Sequence, residues 1–434
     1  MSKESNDNKT LGYWSIVSIG IGGMVGGGIF AVLGLAVHLA KGGTPVAFLL
    51  AGIVALITSY SYTKLSITYP AQGGTVEFLN QAYGMGLFTG GMNILLWLSY
   101  VVMLSLYAFA FGSYGATFFP AATHLFWKHI LISAVIVFLT VLNIFGSKLV
   151  GESEEWIVGI KITILLLFIG VGIWGVNYQS IQVSQWTGPV QLIAGGMIIF
   201  LAYEGFELIA NTAGDVKNPK STLPKAYYSA VGFVIILYIL ISIVTIGNLP
   251  VDKIVAAQDY ALAEAAKPFL GQFGFTLIAI AALLSTASAV NATLYGASRI
   301  SYIIAKEGEL PEVLDRKIWH KPIEGLFITS GITLLVANLF DLSSISMMGS
   351  AGFLLIFAAV NGSNFHLYQK TKSNRWISGI GVIICLIALG MLIWQTAMAT
   401  PQKIWVLVVM AGISFLIEWI YRKSTGRTIK PHFD

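Results

Sequence analysis

Charge is what this chain has least of. Asp, Glu, Lys and Arg make up 10% of its 434 residues, against 56% hydrophobic residues. Soluble domains carry about 25% charged residues, so these few charges cannot cover a water-facing surface. The expectation is an all-α polytopic membrane protein. Cysteine is nearly absent: Cys385 stands alone in an apolar run, which excludes a disulfide framework and a thiolate metal site. The six histidines (His38, His124, His129, His320, His366, His432) fall at segment ends or in loops. No metal-ligand spacing links them, and no cluster of acid–base residues lies at depth. The expectation is therefore no enzyme: no catalytic residue, no metal, no cofactor. A nucleotide-binding loop that would power a pump is missing, as is the repeated filter of a channel. No cleavable leader is expected either, because Met1 to Thr10 is polar and the first apolar run is long and lacks an Ala-x-Ala site. The net charge of +5 is no nucleic-acid signal, since its distribution follows the membrane.

Twelve apolar segments of spanning length are present, roughly 14–38, 46–64, 86–116, 129–146, 155–177, 192–213, 224–247, 273–304, 325–340, 343–364, 377–397 and 404–421. With the N-terminus in the cytoplasm, Lys41, Lys128, Lys253, Lys267 and Lys403 lie outside. Lys161 is inside a span and Arg299 is near a span's inner end, which leaves eighteen of the 25 Lys and Arg on the cytoplasmic side. The reverse orientation breaks the positive-inside rule. Both termini are expected in the cytoplasm of a multi-pass protein of the cytoplasmic membrane, with tails at 1–10 and 422–434. Asn248–Phe269 reads as short external surface helices, and Lys306–Glu324 as a charge-dense cytoplasmic loop.

The first segment is interrupted. Six of the eleven residues from Gly20 to Phe30 are glycine, with Gly26, Gly27 and Gly28 consecutive. Each costs a helix about 1 kcal/mol relative to alanine, and freed backbone in lipid is tolerated only where it lines a cavity. Two half-helices, about 14–22 and 29–38, are expected around an open turn; close helix packing of the Gly-xxx-Gly kind is the alternative. The sixth segment places Glu204 and Glu207 beside Gly205 in mid-span, where carboxylates belong only against a cavity or a partner. Gly205 is a plausible second break. Interrupted helices at matching places in two halves point to an inverted-repeat transporter with its site at the midplane. The repeats would be 11–177 and 192–364, with two additional helices at 377–421.

Four stretches carry a family resemblance. They are Gly26-Gly27-Gly28-Ile29-Phe30; Pro70-Ala71-Gln72-Gly73-Gly74 running on to Ala82-Tyr83-Gly84; Ala202-Tyr203-Glu204-Gly205-Phe206-Glu207 followed by Asp215 to Lys220; and Arg299 to Tyr302 followed by Lys306 to Pro311. In this order they resemble the amino acid–polyamine–organocation (APC) superfamily, with its LeuT-type fold of a 5+5 inverted repeat and discontinuous helices 1 and 6. Lys161 makes the chain most similar to prokaryotic proton-coupled amino acid permeases. The resemblance implies alternating access, with an amino acid or amine, protons and the lipid bilayer as partners and no nucleic acid.

A half-helix N-terminus offers free N–H groups and a positive dipole end. Gly26, Gly27, Gly28 and Ile29 therefore suit a substrate carboxylate. Carbonyls from Ile21 to Gly23, and around Phe200, Ala202 and Tyr203, suit its ammonium. In the family the resembling positions bind these two groups. Here Gly27 lacks the hydroxyl often found between the glycines. Glu204 stands where many relatives are apolar, so it either selects a cationic side chain or pairs elsewhere; Glu207 is expected inside the protein. Tyr100 and Phe206 are candidates to close over the substrate or plain packing residues. Lys161 is either a snorkelling lysine or a buried amine that exchanges a proton. In the fold its position lies beside the ion site of sodium-coupled relatives, where an ammonium would donate to the Gly22 carbonyl and to Ser285 and Ser288. Arg299 with Asp215 is a candidate inner gate, or Arg299 is an interface anchor. The leading expectation is proton-driven amino acid symport. A polyamine or cationic amino acid exchanger and a non-transporting amino acid sensor are the alternatives.

Overall fold

A computed structural model describes residues 10–71, 73–145, 148–306 and 323–425. Residues 1–9 of the expected N-terminal tail, most of the C-terminal tail, residues 307–322 of the expected cytoplasmic loop and the Arg299 side chain lie outside the described residues. The helices are α1 (Tyr13–Met24), α2 (Gly28–Ala40), α3 (Thr44–Thr68), α4 (Thr75–Tyr83), α5 (Leu87–Ala116), α6 (His124–Phe145), α7 (Lys148–Gly172) and α8 (Pro189–Ile198). A 3-10 helix, Phe200–Asp215, follows. Then come α9 (Pro219–Asn248), α10 (Val251–Ala256), α11 (Ala261–Lys306), α12 (Ile323–Leu339), α13 (Leu342–His366), α14 (Tyr368–Thr371), α15 (Arg375–Ala399) and α16 (Ile404–Thr425). Among the described residues nine helices are long and apolar enough to cross a membrane, or eleven when each bent pair counts as one span. α12 is apolar but shorter.

Burial sorts these helices into a centre and a rim. The apolar windows of α5 and α13 are 89% and 83% buried, against 28% for α6, 33% for α7 and α15 and 22% for the last span. The rim helices turn Phe138, Trp156, Ile383 and Val408 outward, the pattern of a lipid-facing surface. At the centre lie the two interrupted spans. α1 and α2 meet at 44°, and α8 and the 3-10 helix at 41°.

The interrupted spans run antiparallel and are tied at both ends. Leu11 N–H donates to the Asp215 carbonyl at 3.1 Å and Lys217 N–H to the Leu11 carbonyl at 2.9 Å. At the far ends Lys41 bridges Trp186, and Gly42 N–H donates to Gln185 at 3.1 Å. Between the ties the spans cross at two glycines. A Cβ built on Gly205 would lie 2.2 Å from the carbonyl carbon of Gly23. Gly205 is thus the crossing contact. The break expected there sits earlier, at Ile199, with φ −90° and ψ 1°.

The expected external surface helices are packed instead. Ile254, Leu262, Ala263, Ala265 and Ala266 are fully buried, because an alanine-rich stripe faces inward while the charges alternate outward. α2 is approached so closely that a Cβ on Gly34 would lie 2.3 Å from the Gln258 carbonyl oxygen. One residue on, Asp259 pairs with Lys128 of α6 at 2.9 Å. α11 itself turns at Gly271, whose φ of +61° favours glycine.

Candidate functional site between the two interrupted helices

The first interruption is three residues wide. α1 continues to Met24, one turn's edge beyond the expected stop, because only Gly26 to Gly28 break it. Ile21 still accepts an in-helix bond from Val25 N–H at 2.8 Å. Gly26 N–H turns to Gly23 at 3.4 Å rather than to Gly22, its regular i−4 partner. The Gly22 carbonyl is left without that donor, and Lys161 Nζ supplies one at 3.1 Å. Lys161 is 2% exposed. Val158, one turn earlier on α7, rests on Gly22: a Cβ there would lie 3.0 Å from Val158 Cγ2.

Other side chains take the next carbonyls. Ser285 of α11 donates to Val25 at 2.8 Å and also contacts the Gly26 carbonyl. Ser288, on the same face one turn along, is half-buried. The Tyr238 hydroxyl of α9 lies 2.6 Å from the Met24 carbonyl oxygen. α2 then starts at Gly28 with Gly27 as its N-cap and no side-chain cap. The Tyr107 ring lies over Gly27, where a Cβ would come within 2.2 Å of Cδ1. Gly28 presses on the Ala202 backbone at 2.8 Å, counted from the same construction. Ile29 is buried just behind.

The second interruption uses the same devices. Ser346 and Ser350 of α13 both donate to the Ile198 carbonyl at 2.7 Å. Leu201 N–H donates to Ser350 Oγ at 3.1 Å. The Ala202 carbonyl lies 3.2 Å from the Tyr238 hydroxyl, and Tyr203 donates to the Phe48 carbonyl at 3.0 Å. Phe200 is buried against Phe357. Hydroxyls from α11 and α13 thus close the two breaks, and the one hydroxyl of Tyr238 touches both.

One turn further on, Glu207 anchors a second cluster. Tyr62 donates to Glu207 Oε2 at 3.0 Å, and Thr75 is bonded to Tyr62 at 2.8 Å. Tyr100 donates to Glu207 Oε1. Glu204 is buried within hydrogen-bond reach of the Glu207 carboxyl. Phe206 packs edge-on to Tyr62 with centroids 5.4 Å apart, and against Phe357. The structure therefore gathers Tyr100, Glu204, Phe206 and Glu207 into one polar–aromatic floor under the breaks. Asp215 lies apart from them, at the end of its span beside Leu11, with its carbonyl in the tie to that residue.

Reading the sequence missed Tyr107, Tyr238, Ser346, Ser350 and Tyr62. A signal for Tyr238 exists: a tyrosine inside an apolar segment needs a partner for its hydroxyl. Two helix interruptions thus face each other, with the α2 N-terminus at one and backbone carbonyls at both.

Comparison with known proteins gives the family. The family model described as amino acid permease matches residues 11–415. An uncharacterized protein of Methanocaldococcus jannaschii is 38% identical over 423 residues, 97% of each chain. The inner membrane transport protein YbaT of Escherichia coli is 34% identical over 97% of this chain and 98% of its own. The methylthioribose transporter of Bacillus subtilis is 26% identical over 98% and 95%. This chain belongs to the amino acid permease family of the APC superfamily, whose members are membrane transporters and not enzymes.

Proposed function

We propose that this permease is a proton-coupled symporter for amino acids, working by alternating access in the cytoplasmic membrane with both termini inside. The fold we propose is LeuT-type: twelve spans, a 5+5 inverted repeat and two further helices. The observation that carries the coupling step is the bond from Lys161 to Gly22. An ammonium on that carbonyl holds the first interruption in shape. Loss of its proton replaces a charged donor by a weaker neutral one and loosens its hold on the carbonyl. Protonation of Lys161 and binding of substrate then favour one conformation together, and release of both to the cytoplasm favours the other.

In this reading the substrate carboxylate approaches the α2 N-terminus at Gly27, Gly28 and Ile29. Its ammonium approaches the carbonyls of Met24 and Ala202. Recognition of a zwitterion needs no dedicated side-chain charge there. Arg299 and Asp215 keep their proposed part as an inner gate.

Uptake of a labelled amino acid mixture into sodium-free proteoliposomes tests the reading. Stimulation by an inward proton gradient supports symport, and competition by neutral amino acids but not by putrescine supports the substrate class. Uptake indifferent to the gradient would overturn the coupling.

A further inference from the structure

We propose that the short connection between α13 and α15 binds the phosphate of an anionic phospholipid, with Arg375 as the central donor. In the topology proposed above this connection is cytoplasmic, so the lipid belongs to the inner leaflet. The site itself rests on side-chain geometry and not on the transport reading.

Charge at this connection has one sign. Lys370, Lys372 and Arg375 are exposed, and no Asp or Glu occurs between Asp341 and Glu418. The ion pairs formed among the described residues, those of Lys128, Lys267, Lys403 and Arg422, leave these three out. Aromatic rings hold Arg375 instead of a carboxylate. Its guanidinium carbon lies 5.1 Å from the Phe365 centroid, 5.3 Å from that of Trp376 and 5.5 Å from that of Tyr368. A guanidinium placed against rings keeps its charge and its fork of N–H donors, the fork that bonds a phosphate in pairs.

The backbone around it is fixed. Lys372 is left-handed, with φ 50° and ψ 43°, and Ser373 N–H returns to the Tyr368 carbonyl at 3.0 Å. Asn374 N–H donates to the Tyr60 hydroxyl of α3 at 2.7 Å, and its side chain accepts from Trp376 N–H at 3.0 Å. A connection tied in this way leaves a ligand little ordering to impose.

The height of the site in the bilayer follows from α15. Trp376 is 68% exposed, and Ile380, Ile383 and Ile387 continue the same outward stripe at helical spacing. Arg375 therefore stands where a lipid-facing apolar face gives way to charge, at the level of headgroup phosphates. A phosphate in solution offers the same oxygens but no acyl chain to lie along Trp376 and Ile380. The Phe365 ring also seats α13 on α15, since a Cβ on Gly379 would lie 3.4 Å from it. α13 is the helix whose Ser346 and Ser350 hold the Ile198 carbonyl, so the lipid sits on the frame of the second interruption.

The test titrates the full-length chain in detergent with phosphatidylglycerol and, separately, with phosphatidylcholine. Native mass spectrometry and thermal unfolding are the readouts. The unaltered protein is expected to bind phosphatidylglycerol saturably and to be stabilised by it over phosphatidylcholine; an equal response to both lipids overturns the proposal. Arg375→Gln should weaken phosphatidylglycerol binding roughly five- to tenfold. Arg375→Lys keeps the charge but not the planar fork, and should still weaken it several-fold. Lys220→Gln, which removes the same charge from another exposed position, should leave it unchanged. Equal losses in Arg375→Gln and Lys220→Gln, or no loss in Arg375→Lys, would mean diffuse attraction to a basic surface and would sink the proposal. Competition by inorganic phosphate as strong as that by phosphatidylglycerol would also overturn it, in favour of a soluble anion.

Discussion

Gly23 and Gly205 meet backbone to backbone, so close that a Cβ on Gly205 would stand 2.2 Å from the Gly23 carbonyl carbon. Both partners are main chain, and no flexible side chain can give way. Gly205→Ala is expected to destabilise the protein by about 1–3 kcal/mol, the range for overpacking, and to abolish transport. Gly390→Ala, inside α15 with nothing within 4 Å of its added carbon, is the control expected not to destabilise. Thermal unfolding of both variants in detergent checks the pair.

Lys161 reaches the Gly22 carbonyl from a neighbouring helix at 3.1 Å. Lys161→Ala leaves the carbonyl without this donor and removes the exchangeable proton. Gradient-driven uptake is expected to disappear, while binding of a labelled amino acid to detergent-solubilised protein survives in weakened form. Scintillation proximity binding alongside vesicle uptake separates the two effects.

Glu207 accepts from Tyr62 and Tyr100. Truncation by Glu207→Ala strands the buried Tyr100 hydroxyl, at about 1–3 kcal/mol for the unsatisfied group, while Tyr62 keeps its bond with Thr75. Tyr100→Phe in the same background removes the stranded hydroxyl, so the double variant should lose less than the sum of the singles. A thermal-stability cycle of the four proteins measures that coupling.

Outside the spans, Asp341 caps α13 through Ser344 N–H at 2.9 Å and pairs with Lys403 at 2.7 Å. Burial alone would raise its pKa, but the Lys403 hydrogen bond, the bonds with Ser344 and the Lys403 charge outweigh it and hold the carboxyl below its ordinary 3.8. A depressed folded pKa means stabilisation present above the ordinary value and lost as pH falls through the lower one. Thermal stability should therefore drop between about pH 4 and 3. Asp341→Asn should start lower at pH 5 and lack that part of the drop. The side chain is well exposed, so salt should shrink the difference.

The interrupted first helix was legible because three consecutive glycines have no other easy use in an apolar span. Lys161 was legible because an amine at that depth demands a partner. The position of the second break was not. A glycine at a helix crossing and a glycine at a helix break look alike in sequence, so Gly205 drew the break away from Ile199. What ends α8 at Ile198 is a pair of serines 148 and 152 residues later, Ser346 and Ser350, and no local pattern announces such partners. The carbonyls offered at the first break moved for a related reason. Ile21 and Gly23 stay bonded within the chain while Met24, Val25 and Gly26 meet side chains of α9 and α11. Exposure of Asn248–Phe269 was misjudged because alternating charges hid an alanine stripe.

The most direct test of the coupling is proton movement itself. Proteoliposomes holding a trapped pH indicator, in sodium-free buffer with no imposed gradient, receive an external neutral amino acid mixture. The account predicts acidification of the lumen by the unaltered protein and none by Lys161→Ala. Amino acid accumulation without acidification, or equal acidification by both proteins, would contradict it.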